Sequence, residues 1–284
     1  MNPAGRTGNG FSGGGMACLE WPWASRQDAL MADFSPSPRT RFSNRVDNYV
    51  RYRPGYPPAV LELLSHEAGL TEACVVADVG SGTGISTDLL LKSGAVVYAV
   101  EPNLEMRQAA ERLLSGQRGF RSVAGSAQAT TLPRSSVDLI TAAQAFHWFN
   151  QAETRAEFSR ILKPGGRLAL IWNERRMDST PFLRAYENLL LDYAADYATV
   201  RHENTDAGAL AGFFIGPFLT HSFYNEQRLD YESLTGRLLS SSYAPAERQP
   251  GHDSMIAELR RIFELCQENG TVVIEYTTKV HLGR

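Results

Sequence analysis

The 284-residue chain lacks the features that mark several classes of protein. It has three cysteines, which are scattered along the sequence: Cys18, Cys74 and Cys266. They fit neither a disulfide framework nor a metal site, and they favour a reducing, cytoplasmic compartment. No apolar run approaches the roughly 18 residues of a membrane span. The net charge of −3 offers no general attraction for nucleic acid or an anionic membrane. The sequence therefore predicts no metal, nucleic-acid or membrane partner, and it leaves the oligomeric state open.

The first 40 residues differ in composition from the rest. Six glycines fall between Gly5 and Gly15, prolines follow at Pro36 and Pro38, and the apolar residues show no period. Such a segment has too little apolar surface to offset the entropy of ordering. We expect a disordered tail over residues 1–40 and one folded domain over residues 41–284. An organelle-targeting segment is the alternative, which the arginines favour and the acidic residues oppose.

Beyond Phe42 short apolar strands alternate with amphipathic helices, and Asn103 and Thr180 are predicted as the N-caps of two of these helices. This alternation implies right-handed crossovers and a doubly wound α/β fold with a parallel sheet. The residues from Phe42 to Pro57 are predicted to be a loop, and a helical cover is predicted at about 177–218. The predicted strands are Val75–Val79, Ala95–Val100, Phe120–Ala124, Val137–Ala142 and Arg167–Trp172, followed by Phe223–Leu229 and Thr271–Tyr276 with a helix at about 254–268 between them.

The first strand runs directly into a glycine-rich turn, Gly80-Ser81-Gly82-Thr83-Gly84. Glycines allow a tight turn and a close approach of a ligand, and the helix that follows offers free N–H groups. The spacing is G-x-G-x-G, whereas the dinucleotide fingerprint is G-x-G-x-x-G. Asp78 lies two residues before the first glycine, where a carboxylate could meet a cationic amino group. S-adenosylmethionine, which has both an ammonium and a nucleoside, fits this pattern.

Other polar residues follow the neighbouring predicted strands. Glu101 comes after the second strand, Ser126 after the third, and Gln144–Trp148 after the fourth. Ligands of doubly wound sheets bind at the carboxyl ends of the strands, near the point where the strand order reverses. We therefore expect these residues to lie around one pocket with the glycine turn.

Four segments carry a resemblance to a known family: NYVRYRPGYP at Asn48–Pro57, DVGSGTG at Asp78–Gly84, AAQAFHWF at Ala142–Phe149 and LKPGG at Leu162–Gly166. With them the chain resembles class I S-adenosylmethionine-dependent methyltransferases. It is similar to their small-molecule group, methyltransferase type 11, which includes trans-aconitate methyltransferase-like enzymes. The resemblance implies a Rossmann-like seven-stranded sheet, mostly parallel with an antiparallel last strand, and helices on both faces.

The resemblance also implies roles for the residues that bind the cofactor. The backbone of Gly80–Gly84 would hold the methionine part, and Glu101 would accept hydrogen bonds from both ribose hydroxyls. Ser126 and Ala127 would flank the adenine, although Ser126 stands where the family commonly has an aspartate, which puts the contact to the adenine amino group in doubt. The full predicted set is Asp78, Gly80, Ser81, Gly82, Thr83, Gly84, Glu101, Pro102, Ser126, Ala127 and Gln144.

The acceptor side is predicted from the aromatic and basic residues near the strand ends. His147 is the candidate catalytic residue, either as a base or by positioning the acceptor, and the alternative is a framework residue beside Trp148. A base is needed only when the acceptor carries a proton that it must lose early. The other candidates for the acceptor side are Tyr49, Arg53, Trp148, Trp172, Asn173 and Arg175. Simple packing is the alternative role for them, and Tyr49 and Arg53 could also contact the cofactor carboxylate.

These observations predict an enzyme that transfers a methyl group to a small molecule, a carboxylate or a hydroxyl compound. No Asn-Pro-Pro-Tyr element follows the fourth strand and no basic surface is evident, which argues against nucleic-acid substrates. A non-catalytic module that binds S-adenosylmethionine is the first alternative, since the motifs indicate binding only. A nicotinamide-dependent oxidoreductase is the second, and the glycine spacing argues against it.

Overall fold

The computed structural model describes residues 46–194, Tyr197, Leu210 and residues 212–284. The tail predicted over residues 1–40 lies outside the described residues, and so does most of the second half of the cover predicted at 177–218. The described part of the chain contains a seven-stranded sheet flanked by helices.

The sheet has the strand order β3-β2-β1-β4-β5-β7-β6. The first five strands are parallel, and β7 runs antiparallel to both of its neighbours, β5 and β6. The fold class expected from the sequence is therefore confirmed. The strand bounds are β1 Val75–Val79, β2 Val96–Val100, β3 Phe120–Val123, β4 Val137–Ala143, β5 Leu162–Arg175, β6 Leu219–Leu229 and β7 Val272–Gly283.

The helices begin where the sequence offers caps. Asn103 Oδ1 accepts from the N–H of Met106 at 2.9 Å, and Thr180 Oγ1 accepts from that of Leu183 at 3.1 Å, as the sequence predicted for both N-caps. The helix bounds are α1 Val46–Tyr52, α2 Pro58–Glu67, α3 Ile85–Leu91, α4 Leu104–Leu114, α5 Gln151–Ile161, α6 Pro181–Tyr193, α7 Tyr231–Leu239 and α8 His252–Cys266, with a 3₁₀ turn at Phe146–Trp148.

Three local predictions are wrong. The segment predicted as a loop up to Pro57 contains α1, a short helix whose Val46 packs with Met106 and Ala109 of α4. Helix α7 was not predicted, because Gly236 in its middle lowers the helix propensity of the segment. The packing of Tyr52 against Gly236 stabilises this helix. Strand β5 begins at Leu162, ahead of the predicted Arg167, with a register shift against β4 where the sequence indicated a turn.

The core has one apolar layer on each face of the sheet and a third cluster beside β7. On β1, Val76 belongs to one layer and Ala77 to the other, because successive side chains of a strand point to opposite faces. The third cluster joins α6, α7 and α8 to the end of the sheet and includes Leu190, Leu234 and Leu259. The strands therefore end between two packed layers, which positions the loops at their carboxyl ends.

Candidate functional site

The glycine turn follows β1 as predicted and is tied to the end of β2. The Gly80 N–H donates to the carbonyl oxygen of Val100 at 2.9 Å. Gly80 has a φ of +71°, and a Cβ there would lie 2.6 Å from Cβ of Ala145. Gly82 has a φ of +56° and open space where a Cβ would point. Only glycine combines a positive φ with the close approach to Ala145 without strain. Because glycine has no side chain, the backbone of the turn is open to a ligand.

Asp78 is fully buried beneath this turn. Its carboxylate accepts hydrogen bonds from Ser86 Oγ at 2.6 Å, Thr87 Oγ1 at 2.7 Å and Thr141 Oγ1 at 2.8 Å. Burial raises the pKa of Asp78, and the three hydroxyls act in the opposite direction. Asp78 therefore joins β1 to α3 and β4, and it lines neither of the cavities described below. Its contact with a cationic amino group stays a prediction.

Glu101 follows β2 and joins two loops. Its Oε2 accepts from the N–H of Gly82 at 2.9 Å, and its Oε1 accepts from the N–H of Asn103 at 2.8 Å. The residue is 8% exposed, and burial raises its pKa while the two N–H groups lower it. An ionised carboxylate has about four lone-pair positions, so acceptor capacity remains on both oxygens.

The carboxyl ends of the strands enclose a cavity of about 620 Å³, within the usual range for a small-molecule site. Its wall combines predicted residues with others that the sequence did not single out, among them Met106 and Phe149. The lining residues are Tyr49, Gly80, Gly82, Glu101, Pro102, Asn103, Met106, Ser126, Ala127, Gln128, Ala129, Gln144, Ala145, Trp148, Phe149 and Glu153.

A smaller cavity of about 50 Å³ adjoins the first and shares Tyr49, Gly80, Gly82 and Gln144 with it. It is also lined by Ser81, Thr83, Arg53 and Asn173, among others. Several buried polar atoms at this cavity have no hydrogen-bond partner in the part of the chain that the structure describes: Ser81 Oγ, Thr83 Oγ1, Gln144 Oε1 and Arg53 Nε. Buried polar atoms normally find partners, so these groups indicate a site for a polar ligand group.

The loop at Ser126–Ala129 is held by a carboxylate that the sequence analysis missed. Glu157 Oε1 accepts from the N–H of Thr130 at 2.8 Å and from its hydroxyl at 2.5 Å. Arg160 donates two further bonds of 2.7 Å to the same carboxylate. This pairing, together with the Thr130 bonds, lowers the pKa of Glu157 to about 2, so the carboxylate stays ionised and keeps the loop at the cavity.

The segment after β4 places its aromatic residues differently. Trp148 lines the larger cavity, whereas His147 lines neither and has its ring 4.8 Å from that of Trp148. Trp172, predicted at the rim of the pocket, is 3% exposed and packs edge-on against Phe146 at 6.0 Å and against His281. Its place in the strand directs it into the core layer, so Trp172 is corrected from a rim residue to a core residue.

The remaining acceptor candidates separate into two groups. Tyr49, Arg53 and Asn173 line the small cavity, and Asn173 donates from Nδ2 to the carbonyl oxygen of Gly55 at 3.1 Å. Arg175 lies apart from both cavities, where it pairs with Glu187 and donates to Tyr197 Oη at 2.8 Å.

Arg237 of α7 is a charged residue that sequence reasoning missed. It is 8% exposed and donates from Nε to Tyr276 Oη at 3.3 Å and from Nη1 to Ser241 Oγ at 3.2 Å. No local motif marks it, since its partner Tyr276 comes from a distant part of the chain. We call the set formed by Arg53, Arg175, Tyr186, Arg237, Tyr243 and Tyr276 the arginine–tyrosine cluster.

The described residues offer neither a metal site nor a membrane span. In residues 46–194 and 212–284, with Tyr197 and Leu210, no group of three or more His, Cys, Asp or Glu could hold a metal ion. None of the helices described is long and apolar enough to cross a membrane.

Comparison with known proteins identifies the domain. A family model described as a methyltransferase domain matches residues 77–170, from β1 into β5. An uncharacterized methyltransferase of Schizosaccharomyces pombe is 35% identical over 153 residues, which cover 52% of this chain and 58% of that protein. Another of Mycobacterium bovis is 40% identical over 136 residues, or 47% of this chain and 52% of that protein. The matched part thus spans little more than half the length of these relatives.

Solved structures share the fold. A protein assigned as a type II methyltransferase from Anaeromyxobacter dehalogenans has a TM-score of 0.64 at 23% identity, covering 82% of this chain and 98% of that one. A protein assigned as a methyltransferase of an antibiotic biosynthesis pathway from Anabaena variabilis has a TM-score of 0.56 at 19% identity, covering 81% and 98%. The resemblance to class I methyltransferases is confirmed, while the trans-aconitate-like subgroup stays a prediction.

Proposed function

We propose that this chain, which carries a methyltransferase domain, binds S-adenosylmethionine across the two adjoining cavities and transfers its methyl group to a small organic acceptor. The observation that carries the proposal is the pair of cavities itself. They meet at Gly80, Gly82 and Gln144. One has room for a nucleoside, and the other is small and surrounded by polar atoms that have no partner among the described residues. A ligand with a nucleoside at one end and a charged amino acid at the other matches this shape.

The nucleoside half fits the larger cavity. Glu101 lies in its wall with acceptor capacity left over, and it would accept from the ribose hydroxyls. Ser126 and Ala127 belong to the loop that Glu157 holds, and Met106 supplies an apolar surface for a flat ring. The backbone N–H of Ala127 would serve the adenine in place of the aspartate that this chain lacks.

The amino-acid half fits the smaller cavity. Ser81 Oγ and Thr83 Oγ1 can donate to a carboxylate, as can Arg53 Nε, and all three are buried there without a partner among the residues described. Gln144 Oε1 is an acceptor without a partner and suits the ammonium group. Gln144 holds this position with a φ of +55° and a bond of 3.2 Å from Nε2 to the carbonyl oxygen of Asn173.

Methyl transfer from a sulfonium needs little chemical assistance from the protein. A bound S-adenosylmethionine supplies a methyl group that its sulfonium already makes electrophilic. The protein then has to align the acceptor and exclude water, and orientation of this kind contributes several kcal/mol. Ala145, Trp148 and Phe149 form an apolar wall at the end of β4. A carboxylate acceptor would arrive deprotonated and need no base, whereas a hydroxyl acceptor would need one, for which His147 is the candidate.

Two measurements test the proposal. Calorimetric titration of the purified chain with S-adenosylhomocysteine should give a dissociation constant in the micromolar range, and NADH should not bind. Incubation with methyl-labelled S-adenosylmethionine and a panel of small carboxylates and alcohols should then label at least one acceptor, identified by mass spectrometry. Absence of cofactor binding would overturn the whole proposal. Binding without transfer to any member of the panel would favour a non-catalytic binding module.

A further inference from the structure

The arginine–tyrosine cluster contains more positive charge than it neutralises. Arg175 pairs with Glu187, but no carboxylate among the described residues pairs with Arg53 or Arg237. Arg237 is buried on α7, and within the described part of the chain its guanidinium donates to the hydroxyls of Tyr276 and Ser241. A buried cation without a counter-ion is costly, and charged residues are almost never fully buried unless paired.

The two unpaired arginines are neighbours. Arg53 donates from Nη2 to the carbonyl oxygen of Ser240 at 3.0 Å, and Ser240 ends the helix that carries Arg237. Burial lowers the pKa of Arg53, and the positive charge of Arg237 lowers it further, as expected for like charges in one buried region. Two guanidinium groups thus share one buried region in which no carboxylate of the described residues pairs with either.

Two tyrosines add hydrogen-bond donors to this cluster. The guanidinium of Arg175 lies over the ring of Tyr186 at 5.2 Å, and the ring of Tyr243 lies 5.0 Å from that of Tyr197. Burial raises the pKa of Tyr186, so its hydroxyl remains protonated at neutral pH. Neither Tyr186 nor Tyr243 donates its hydroxyl to any residue in the described part of the chain. The described residues therefore leave the donor capacity of both hydroxyls unused.

The cluster is tied to the cofactor cavity through α1. The ring of Tyr52 packs so closely on α7 that a Cβ on Gly236 would lie 2.1 Å from it. Gln227 donates from Nε2 to the carbonyl oxygen of Tyr52 at 3.0 Å and accepts from Tyr276 Oη at 2.8 Å. Arg53, the next residue along the chain, lines the small cavity. Arg53 therefore belongs both to the wall of the small cavity and to the cluster that contains Arg237.

We propose that Arg237, with the hydroxyls of Tyr186 and Tyr243, recognises a carboxylate on the methyl acceptor. This inference rests on the proposed function, in which the donors of the small cavity, Arg53 included, hold the carboxylate of the cofactor. Arg237 does not line that cavity, so its charge is left for a second anion. The acceptor would enter beside α1 and α7, with its anionic end on Arg237 and its reacting end toward the glycine turn.

The test measures the binding of carboxylates to the chain saturated with S-adenosylhomocysteine. The probes are acetate, succinate and benzoate, each compared with its amide, which has the same shape without the charge. At least one carboxylate should bind ten times more tightly than its amide. Arg237→Gln should remove this preference, Arg237→Lys should keep part of it, and Arg184→Gln, on the exposed side of α6, should leave it unchanged.

The affinity for S-adenosylhomocysteine distinguishes the possible failures. It should stay within twofold in Arg237→Gln, because the cofactor carboxylate is held elsewhere. A tenfold loss would show that Arg237 binds the carboxylate of the cofactor, which overturns this inference and leaves the proposed function standing. If every carboxylate binds no better than its amide while S-adenosylhomocysteine binds normally, the inference fails alone. If S-adenosylhomocysteine does not bind the parent chain, both fail.

A stability measurement separates recognition from a structural role. Arg237→Met removes an uncompensated buried charge and keeps the apolar bulk of the side chain, so the melting temperature without ligands should be unchanged or higher. A fall of more than about 5 °C, which corresponds to roughly 1–2 kcal/mol for a domain of this size, would assign Arg237 to the fold and contradict the proposal.

Discussion

The cofactor half of the site consists largely of backbone groups, whereas the arginine–tyrosine cluster consists of side chains. At the ends of β1 and β2, residues Gly80–Thr83 of the turn line the cavities, while Gly84 packs toward Leu114 of α4, and Glu101 is held by two N–H groups. In the cluster, side chains from four distant segments meet, and hydrogen bonds such as that from Arg237 to Tyr276 join them. The first half depends on local chain geometry, the second on tertiary packing.

This difference implies that the two halves can be altered separately. Changes at the strand ends should affect the affinity for the cofactor, whichever acceptor is used. Changes in the cluster should affect the acceptor and leave the cofactor affinity nearly constant. A variant that affects both to a similar extent would show that the halves are coupled, as the position of Arg53 between them allows.

The largest effect is expected for Gly82→Val. The new side chain would enter the space shared by both cavities, since no protein atom lies within 4 Å of the Cβ position. We expect the affinity for S-adenosylhomocysteine, measured by calorimetry, to fall at least about 100-fold, that is by about 2.7 kcal/mol or more. Gly270→Val is the matched control, because Gly270 also has a positive φ of +78° and open space but precedes β7. Equal losses in both variants would attribute the effect to backbone strain.

A smaller loss is expected for Glu101→Ala. Hydrogen bonds from the ribose to an ionised group are worth at most about 1.5–3 kcal/mol each, and water that enters the space left by the side chain replaces part of them, so the affinity for S-adenosylhomocysteine should fall about tenfold. Glu153→Ala is the control, since Glu153 lines the same cavity but is exposed. Unchanged affinity in Glu101→Ala would remove the ribose assignment.

The affinity for S-adenosylhomocysteine should also depend on pH through Glu101. The pKa of Glu101 is raised above its ordinary value of 4.5. The contribution of Glu101 to the free energy of unfolding is therefore complete below pH 4.5 and is lost as the pH rises through the raised pKa. Ribose hydroxyls donate to the ionised carboxylate, so the ligand binds more weakly as the pH falls through the same range. Calorimetry from neutral pH down to the ordinary value of 4.5 should show binding that weakens at least about twofold, and Glu101→Gln should abolish the trend. A parent chain with the same affinity throughout would contradict the assignment.

The smallest effect is expected for His147→Ala. A lost base lowers turnover by roughly 10²–10⁴, but His147 is not among the residues that line the two cavities. Its ring is tilted against that of Trp148, which does line one of them. We therefore expect a severalfold rise in the KM of the acceptor, a smaller change in kcat and no change in cofactor affinity. A hundredfold fall in kcat would establish His147 as a base and place part of the chemistry beyond the two cavities.

Much of the fold follows from the sequence because its signals are local. The apolar runs of β1, β2 and β4 and the caps at Asn103 and Thr180 were confirmed at their predicted places. Parallel strands bring their carboxyl ends to one edge, so Glu101 and Ser126 could be expected beside the glycine turn, and both line the same cavity as Gly80. Each of these inferences needs only a few consecutive residues and the right-handed crossover.

Only the tertiary structure decided the rest. Glu157 and Arg237 owe their roles to partners 27 and 39 positions away along the chain, Thr130 and Tyr276, which no spacing rule connects. Trp172 faces the core instead of the rim because its parity within β5 fixes its face of the sheet. Helices α1 and α7 are short, and α7 contains Gly236, so packing between them decides their presence more than propensity. Backbone turns are encoded where they occur, whereas a cluster of side chains exists only after distant segments have packed.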